Sequence, residues 1–331
     1  MMRLLLISDP ASPNGEDAFC REVAARAVAR GHEVLIQAAA QDLMKTGFAA
    51  RADTVLVNSL QPATLLAAKE SGKPVVLRLI ESYAGADEVL LREVKRAAAS
   101  VDLILVPSRH LAAIAREWDV PESRVQVIPY AYDQISAQHI ALVTVRAARA
   151  QGFSIVTAGV IDAVTLAGLT TVLSAVSRLR MDCHVSVIGN GPALPALKEK
   201  AAALMLAERV SFLGELPHLK KMEYLRAAKA FVESNSRQGF PSLALHALSE
   251  GCPVVGVNAG ALPEFIRHGE NGLLFSPEDV FGLTEHIITL ATTPGLSLKL
   301  IAEGVRTVER HSWDATANAT LDALESLRIR S

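Results

Sequence analysis

The chain has 331 residues, about twice a common single-domain length, so two domains are expected. Half of it is apolar, 21% is charged and only 5% is aromatic, so Ala, Leu and Val carry sizeable cores. The formal net charge is -2 at pH 7, which excludes a global attraction to nucleic acid or an anionic membrane.

In chain order, "RLLLIS", "EVLIQA", "DTVLVNS", "PVVLRLI", "DLILVPS" and "VQVIPY" are short runs largely apolar on both faces. Such runs predict parallel strands covered by helices on both sides. Between them, "EDAFCREVAARAVARG", "PATLLAAKESG", "GADEVLLREVKRAAAS" and "SRHLAAIAREWDV" keep apolar residues at three- and four-residue spacing, the period of a helix. Arg92, Lys95 and Arg96 on the third of these read as a solvated helix face. The pattern falters over residues 133–152 and restarts with "FSIVTAG", "HVSVIGNG", "RVSFLG", "AFVESN" and "PVVGVN", each followed by a helical segment. The tail "HSWDATANATLDALESLRIR" is a last amphipathic helix. The expectation is α/β, with two Rossmann-like doubly wound domains facing across a cleft. The N-terminal domain takes residues 1–150, the C-terminal domain 151–310 and the closing helix 311–331.

Cys20, Cys183 and Cys252 are scattered, with no CxxC spacing, and read as small apolar residues of a reducing cytoplasm. The opening "MMRLLLISDP" is too short for a signal peptide. Nothing approaches the ~18 apolar residues of a membrane span, so a soluble, cytoplasmic protein without a transmembrane segment is expected.

In open α/β sheets the functional crevice lies outside the carboxyl ends of the strands, which selects four loops. "SDPASPNGEDAF" places Gly15 just before a helix. "VIGNGPALPALKE" turns through Gly189, Asn190, Gly191 and Pro192, with Pro192 suited to the first helical turn. Free amides there attract anions, although any tight strand-to-helix turn favours Gly. "QGFPSLALHALSEG" is the stronger segment. Gly239 permits the turn, Pro241 fits an early helical position, and the amides of Ser242 and Leu243 could hold a diphosphate, with His246 in reach of a ribose. The plainer reading is an ordinary helix entry with a surface His. "VNAGALPEFIRHGENGLLF" contributes Gly260 and Glu264, the latter also explained by the helix dipole. The nine His stand at no metal-ligand spacing, and neither a GxSxG elbow nor a GxxxxGK[ST] loop occurs, so no metal or cofactor is expected.

Together these segments resemble the GT-B glycosyltransferases, specifically the group 1 or family 4 retaining enzymes. "PNGEDAFCREVAARAVARGHEVLI", "LILVPSRHLAAIAREWDVPESRVQVIPYAYD", "VSVIGNGP", "ERVSFLGEL", "QGFPSLALHALSEGCPVVGVNAGALPEFIRHGENGLLFSPED" and "HSWD" follow in family order over nearly the whole chain. The resemblance implies transfer of a sugar from a nucleotide-diphosphate donor to a hydroxyl acceptor, with retention. The donor would lie in the second domain, contacting Gly15, Gly189, Gly191, Gln238, Gly239, Phe240, Pro241, Ser242, Leu243, His246 and Gly260. The acceptor would be a glycan, a lipid-linked sugar or a small molecule, near Gly15, Arg78 and Glu81, and those last two residues are the catalytic candidates. The last helix would cross back to the first domain.

The departures are specific. The family's Glu-x7-Glu pair falls on Gln238 and His246, neither a carboxylate at pH 7. The Arg and Lys that neutralise the diphosphate align with Val160 and Ala167, and the family's His after strand four aligns with Ile80, beside Glu81. Each lost donor to a leaving diphosphate costs ~100-fold in rate. Two other readings therefore accompany the first: a non-catalytic GT-B partner or binding protein, which would act on a protein partner, and a sugar-nucleotide epimerase of the same architecture.

Overall fold

A computed structural model of the chain describes residues 1–8, 16–38, 49–58, 61–83, 85–132, 153–237 and 239–330. Two compact units emerge: residues 1–131 with 311–331, and residues 132–310.

Unit 1 runs β1 (Arg3–Ser8), α1 (Glu16–Ala29), β2 (Glu33–Ala38), β3 (Thr54–Asn58), α2 (Pro62–Glu70), β4 (Val75–Arg78), α3 (Glu88–Ser100), β5 (Leu103–Val106), α4 (Arg109–Glu117) and β6 (Val125–Val127). Unit 2 runs β7 (Phe153–Ala158), α5 (Leu166–Arg178), β8 (Cys183–Ile188), α6 (Leu194–Ala203), β9 (Val210–Gly214), α7 (His218–Ala227), β10 (Ala230–Glu233), α8 (Ser242–Ser249), β11 (Val254–Val257), β12 (Leu273–Phe275), α9 (Val280–Thr292) and α10 (Pro294–Glu309). The last helix, α11 (Trp313–Arg330), belongs to unit 1.

The unit 1 sheet has strand order β2-β1-β3-β4-β5-β6 and the unit 2 sheet β12-β11-β10-β7-β8-β9, with every ladder parallel. The inner strands β1, β3, β4 and β5 are the double-faced strands that continuous apolar runs predict, whereas the edge strands β2 and β6 stay partly exposed. Leu4 and Leu6 enter a core with Phe19 and Val23 of α1 and Ala317, Leu321 and Leu324 of α11. Leu5 and Ile7, on the opposite face, join Val55, Val57, Val94 and Ala97. Each such side chain contributes roughly 1.5–3 kcal/mol on leaving water. Helix starts follow local chemistry: Asp87 caps α3 by accepting from the Leu90 amide at 2.8 Å, and Ser108 caps α4 by accepting from Leu111 at 3.1 Å.

Candidate functional site

In unit 2 the chain order β7, β8, β9 grows the sheet one way, and β10 then returns to the other side of β7. The crevice at the carboxyl ends of β7 and β10 is thus the switch point where such sheets take ligands. Its walls are the loop after β7, the loop after β8 and the turn leading into α8.

The first two loops interlock through their backbones. Gly159 N–H donates to the Ile188 carbonyl at 3.0 Å, Ile161 N–H to Asn190 at 2.9 Å, and Ala193 N–H to Ile161 at 2.9 Å. Gly191 N–H is taken by the Asn190 side chain at 2.8 Å and Gly189 N–H by the Gly214 carbonyl at 2.8 Å. Gly189 and Gly191 have φ of 135° and 156°, and a Cβ on them would stand 1.9 Å from the Gly159 oxygen and 2.3 Å from the Ile161 oxygen. Close approach of two loops requires these glycines, and both their amides are engaged. Pro192 precedes α6, whose first turn instead holds Pro195.

The loop after β7 is closed by Asp162, not by a cation. Its Oδ1 accepts from Val164 N–H and Thr165 N–H, both at 2.9 Å, and Thr165 Oγ1 donates to the Val160 carbonyl at 2.7 Å. Val160 is 62% exposed, and Ala167 is exposed in the first turn of α5.

At the "GFPS" turn, Pro241 sits at the cap position and α8 begins at Ser242. The Ser242 amide, expected to be open to an anion, donates back to the Phe240 carbonyl at 3.0 Å. The tight Phe-Pro-Ser turn brings that oxygen within reach. Ala244 N–H likewise bonds Pro241 at 3.0 Å. Phe240 stacks on Phe265 with centroids 5.5 Å apart, fixing the turn against the 3-10 turn Leu262–Glu264. Gly260, at φ 64°, leads into that turn. Gln238 and Gly15 lie outside the described residues.

His246 is neither an open surface His nor a charged one. Its ring lies 4.9 Å from that of Tyr132 and 5.1 Å from that of His218, and its enclosed Nδ1 has no hydrogen-bond partner. Burial, with His218 and Lys221 adjacent, lowers its pKa to about 4. The ring is neutral at pH 7.

Sequence reasoning missed Glu233, the last residue of β10. It is 3% exposed; Oε1 accepts from Asn235 N–H at 3.1 Å, and Oε2 is buried with no partner. Burial raises its pKa to about 7. The signal was there, since it is the sole carboxylate among the six strands of this unit.

In unit 1, Arg78 ends β4 and is 6% exposed. Its guanidinium lies 3.9 Å from the Phe19 ring centroid and 5.4 Å from that of Tyr130, and it donates to Asn58 Oδ1 at 3.0 Å. Asn58 closes β3, the strand at this sheet's own switch point, so the cation is held at the ligand end of the sheet. Ile80 is buried, while Glu81 reaches the surface with its carboxyl pushed up by partial desolvation. All three cysteines are buried free thiols. Among the described residues no group of three His, Cys, Asp or Glu could hold a metal ion, and no helix is long and apolar enough to cross a membrane.

The fold is shared with solved structures along the whole chain. HepE of Anabaena, in complex with UDP and glucose, matches with a TM-score of 0.77 at 16% identity over 98% of this chain and 100% of that one. Sucrose-phosphate synthase of Thermosynechococcus elongatus matches with a TM-score of 0.76 at 18% identity over 100% of both. Two six-stranded parallel sheets of this kind define the GT-B fold.

Residues 152–293 match the family model of glycosyl transferases group 1. A D-inositol 3-phosphate glycosyltransferase of Rhodococcus jostii is 32% identical over 136 residues, 41% of this chain and 30% of that enzyme. The aligned stretch thus spans less than a third of that relative.

Proposed function

We propose that the protein is a glycosyltransferase that takes its sugar from a nucleoside-diphosphate donor bound at the switch-point crevice of unit 2, with retention at the anomeric carbon. The carrying observation is that the group 1 match over residues 152–293 contains every wall of that crevice. Support comes from HepE, whose structure holds UDP and glucose on the same fold. In the reaction the bond from the anomeric carbon to the diphosphate breaks, and one to the acceptor oxygen forms on the same face. The acceptor proton passes to the leaving phosphate, so positioning and charge stabilisation supply most of the rate. No metal or cofactor takes part in this reading.

The donor's sugar would lie against Gln238, Gly239 and Phe240 and its ribose near His246, whose neutral ring can accept or donate one hydrogen bond. Gly189 and Gly191 shape this pocket without offering their amides. Arg78 and Glu81 are the catalytic candidates of unit 1, where the hydroxyl acceptor would bind beside Gly15.

Calorimetric titration with nucleoside diphosphates and their sugar conjugates tests the donor assignment. Micromolar binding of one conjugate, lost in Gly239→Val, is the expected result, and the anomeric configuration of the transfer product by NMR tests retention. No binding across the panel would refute the proposal and favour a non-catalytic binding protein.

A further inference from the structure

Glu233 stands at the carboxyl end of β10, on the switch-point crevice, and no step above uses it. It shares a sheet face with Phe231 two residues earlier, and Phe231 belongs to the apolar cluster that holds Ala244 and Leu245 of α8, against which Phe240 also packs. Its carboxyl therefore lies on the α8 side of the sheet, beneath the turn that leads to Gly239.

Two successive side-chain-to-backbone bonds build that turn. Glu233 Oε1 accepts from Asn235 N–H at 3.1 Å, and Asn235 Oδ1 accepts from Arg237 N–H at 3.0 Å. The turn is also pressed from outside, because a Cβ at Gly168 would stand 2.2 Å from the Ser234 carbonyl oxygen. It has little room to relax. Oε2 remains buried and unpartnered, a state that disfavours the ionised carboxyl in particular.

We infer that Glu233 is a positioning residue of the crevice: one oxygen holds the turn 234–237, and the proton on its carboxyl governs how well that turn accepts a diphosphate. An ionised Glu233 places a second negative charge, poorly screened, beneath the ligand's own, whereas a protonated one does not. The inference rests on the donor assignment made above.

Few other ionisable groups come near Glu233. β7 and β11 on either side bring no ionisable residue, and neither does the first turn of α5. α8 brings His246, whose pKa of about 4 keeps it neutral across the relevant range, together with its neighbours His218 and Lys221. Glu264 stands on the 3-10 turn, and Arg237 is exposed on the turn itself. The raised pKa of about 7 places the proton exchange near neutrality.

The test uses UDP-glucose, whose diphosphate has no group titrating near neutrality, with the full chain and Glu233→Gln. Calorimetry at about pH 6 and about pH 8 should show the wild-type protein binding roughly fivefold more weakly at the higher pH, and the Gln variant equally at both. In the ligand-free protein, the Asn235 amide shift should titrate with the Glu233 carboxyl and lose that titration in the variant. Equal pH slopes in the two proteins would overturn the inference while leaving the donor assignment intact. UDP-glucose bound by neither protein would count against the donor assignment and, with it, the coupling. An Asn235 amide insensitive to pH near 7 would overturn the hold on the turn.

Discussion

His246 meets the ring of Tyr132 edge-on at 4.9 Å, and its Nδ1 is enclosed without a hydrogen-bond partner. Its folded pKa of about 4 lies below the ordinary 6.5, so between those values the unfolded chain binds the extra proton and stability rises with pH. Glu233 works the other way. Its pKa is raised from 4.5 to about 7, so over that range the folded state holds the extra proton and stability falls with pH. Each effect is worth at most about 3 kcal/mol, and over their shared range they oppose each other. Unit 2 should therefore show a nearly flat stability between about pH 5 and 6.5. Glu233→Gln should uncover a profile rising with pH, and His246→Gln one that falls; urea denaturation followed by circular dichroism across that range checks both.

Arg226 on α7 grips Glu250 at the end of α8 with two hydrogen bonds, Nε to Oε2 at 2.7 Å and Nη2 to Oε1 at 3.0 Å. The Glu250 side chain is only 7% exposed and that of Arg226 34%. Removing the arginine leaves a mostly buried carboxylate alone, which costs more than an exposed pair is worth. Arg226→Ala should destabilise unit 2 by about 2 kcal/mol. Glu250→Gln, which retains one acceptor, should cost about half as much in the same denaturation experiment.

The glycines of unit 2 differ in what they tolerate. A Cβ at Gly189 would enter the Gly159 carbonyl, so Gly189→Ala must move backbone and should cost about 3 kcal/mol. Gly214 has φ 68°, and a methyl added there would meet nothing within 4 Å, so Gly214→Ala should cost only the ~1 kcal/mol of a left-handed Ala. Thermal melts that rank these two substitutions equally would mean the two loops separate more readily than their backbone bonds suggest.

The strands were legible because a parallel strand covered on both faces is apolar at every position, as "RLLLIS" and "DLILVPS" are. The caps Asp87 and Ser108 were not singled out, although Asp and Ser are the residue types that favour a helix start. The site was less so, because its chemistry depends on where backbone groups point. "GNG" reads alike whether its amides face a phosphate or, as here, the Asn190 side chain and the Gly214 carbonyl. The Ser242 amide is taken by Phe240 through a turn that no residue pattern announces. His246 is neutral because burial, and after it His218 and Lys221, disfavour its charge, and that enclosure is made by residues such as Tyr132 from elsewhere in the chain. Glu233 stood in view as the one carboxylate of this unit's strand runs, but its burial and its unpartnered Oε2 come from packing.

The closing helix α11 offers a separable test of unit 1. Leu321 and Leu324 are fully buried among Leu4, Leu6, Phe19 and Val23, whereas Arg30, in the turn after α1, holds the surface residue Asp322 at 2.6 Å. Burial should dominate over the ion pair, since the Asp322 side chain is 66% exposed and its attraction is screened. Leu321→Ala should cost about 3 kcal/mol and Asp322→Ala less than about 1 kcal/mol. The chain's two tryptophans, Trp118 and Trp313, both lie in unit 1, so their fluorescence during urea denaturation reports that unit without interference from the other. A loss of similar size for both substitutions would show that charge, rather than the apolar face, seats this helix.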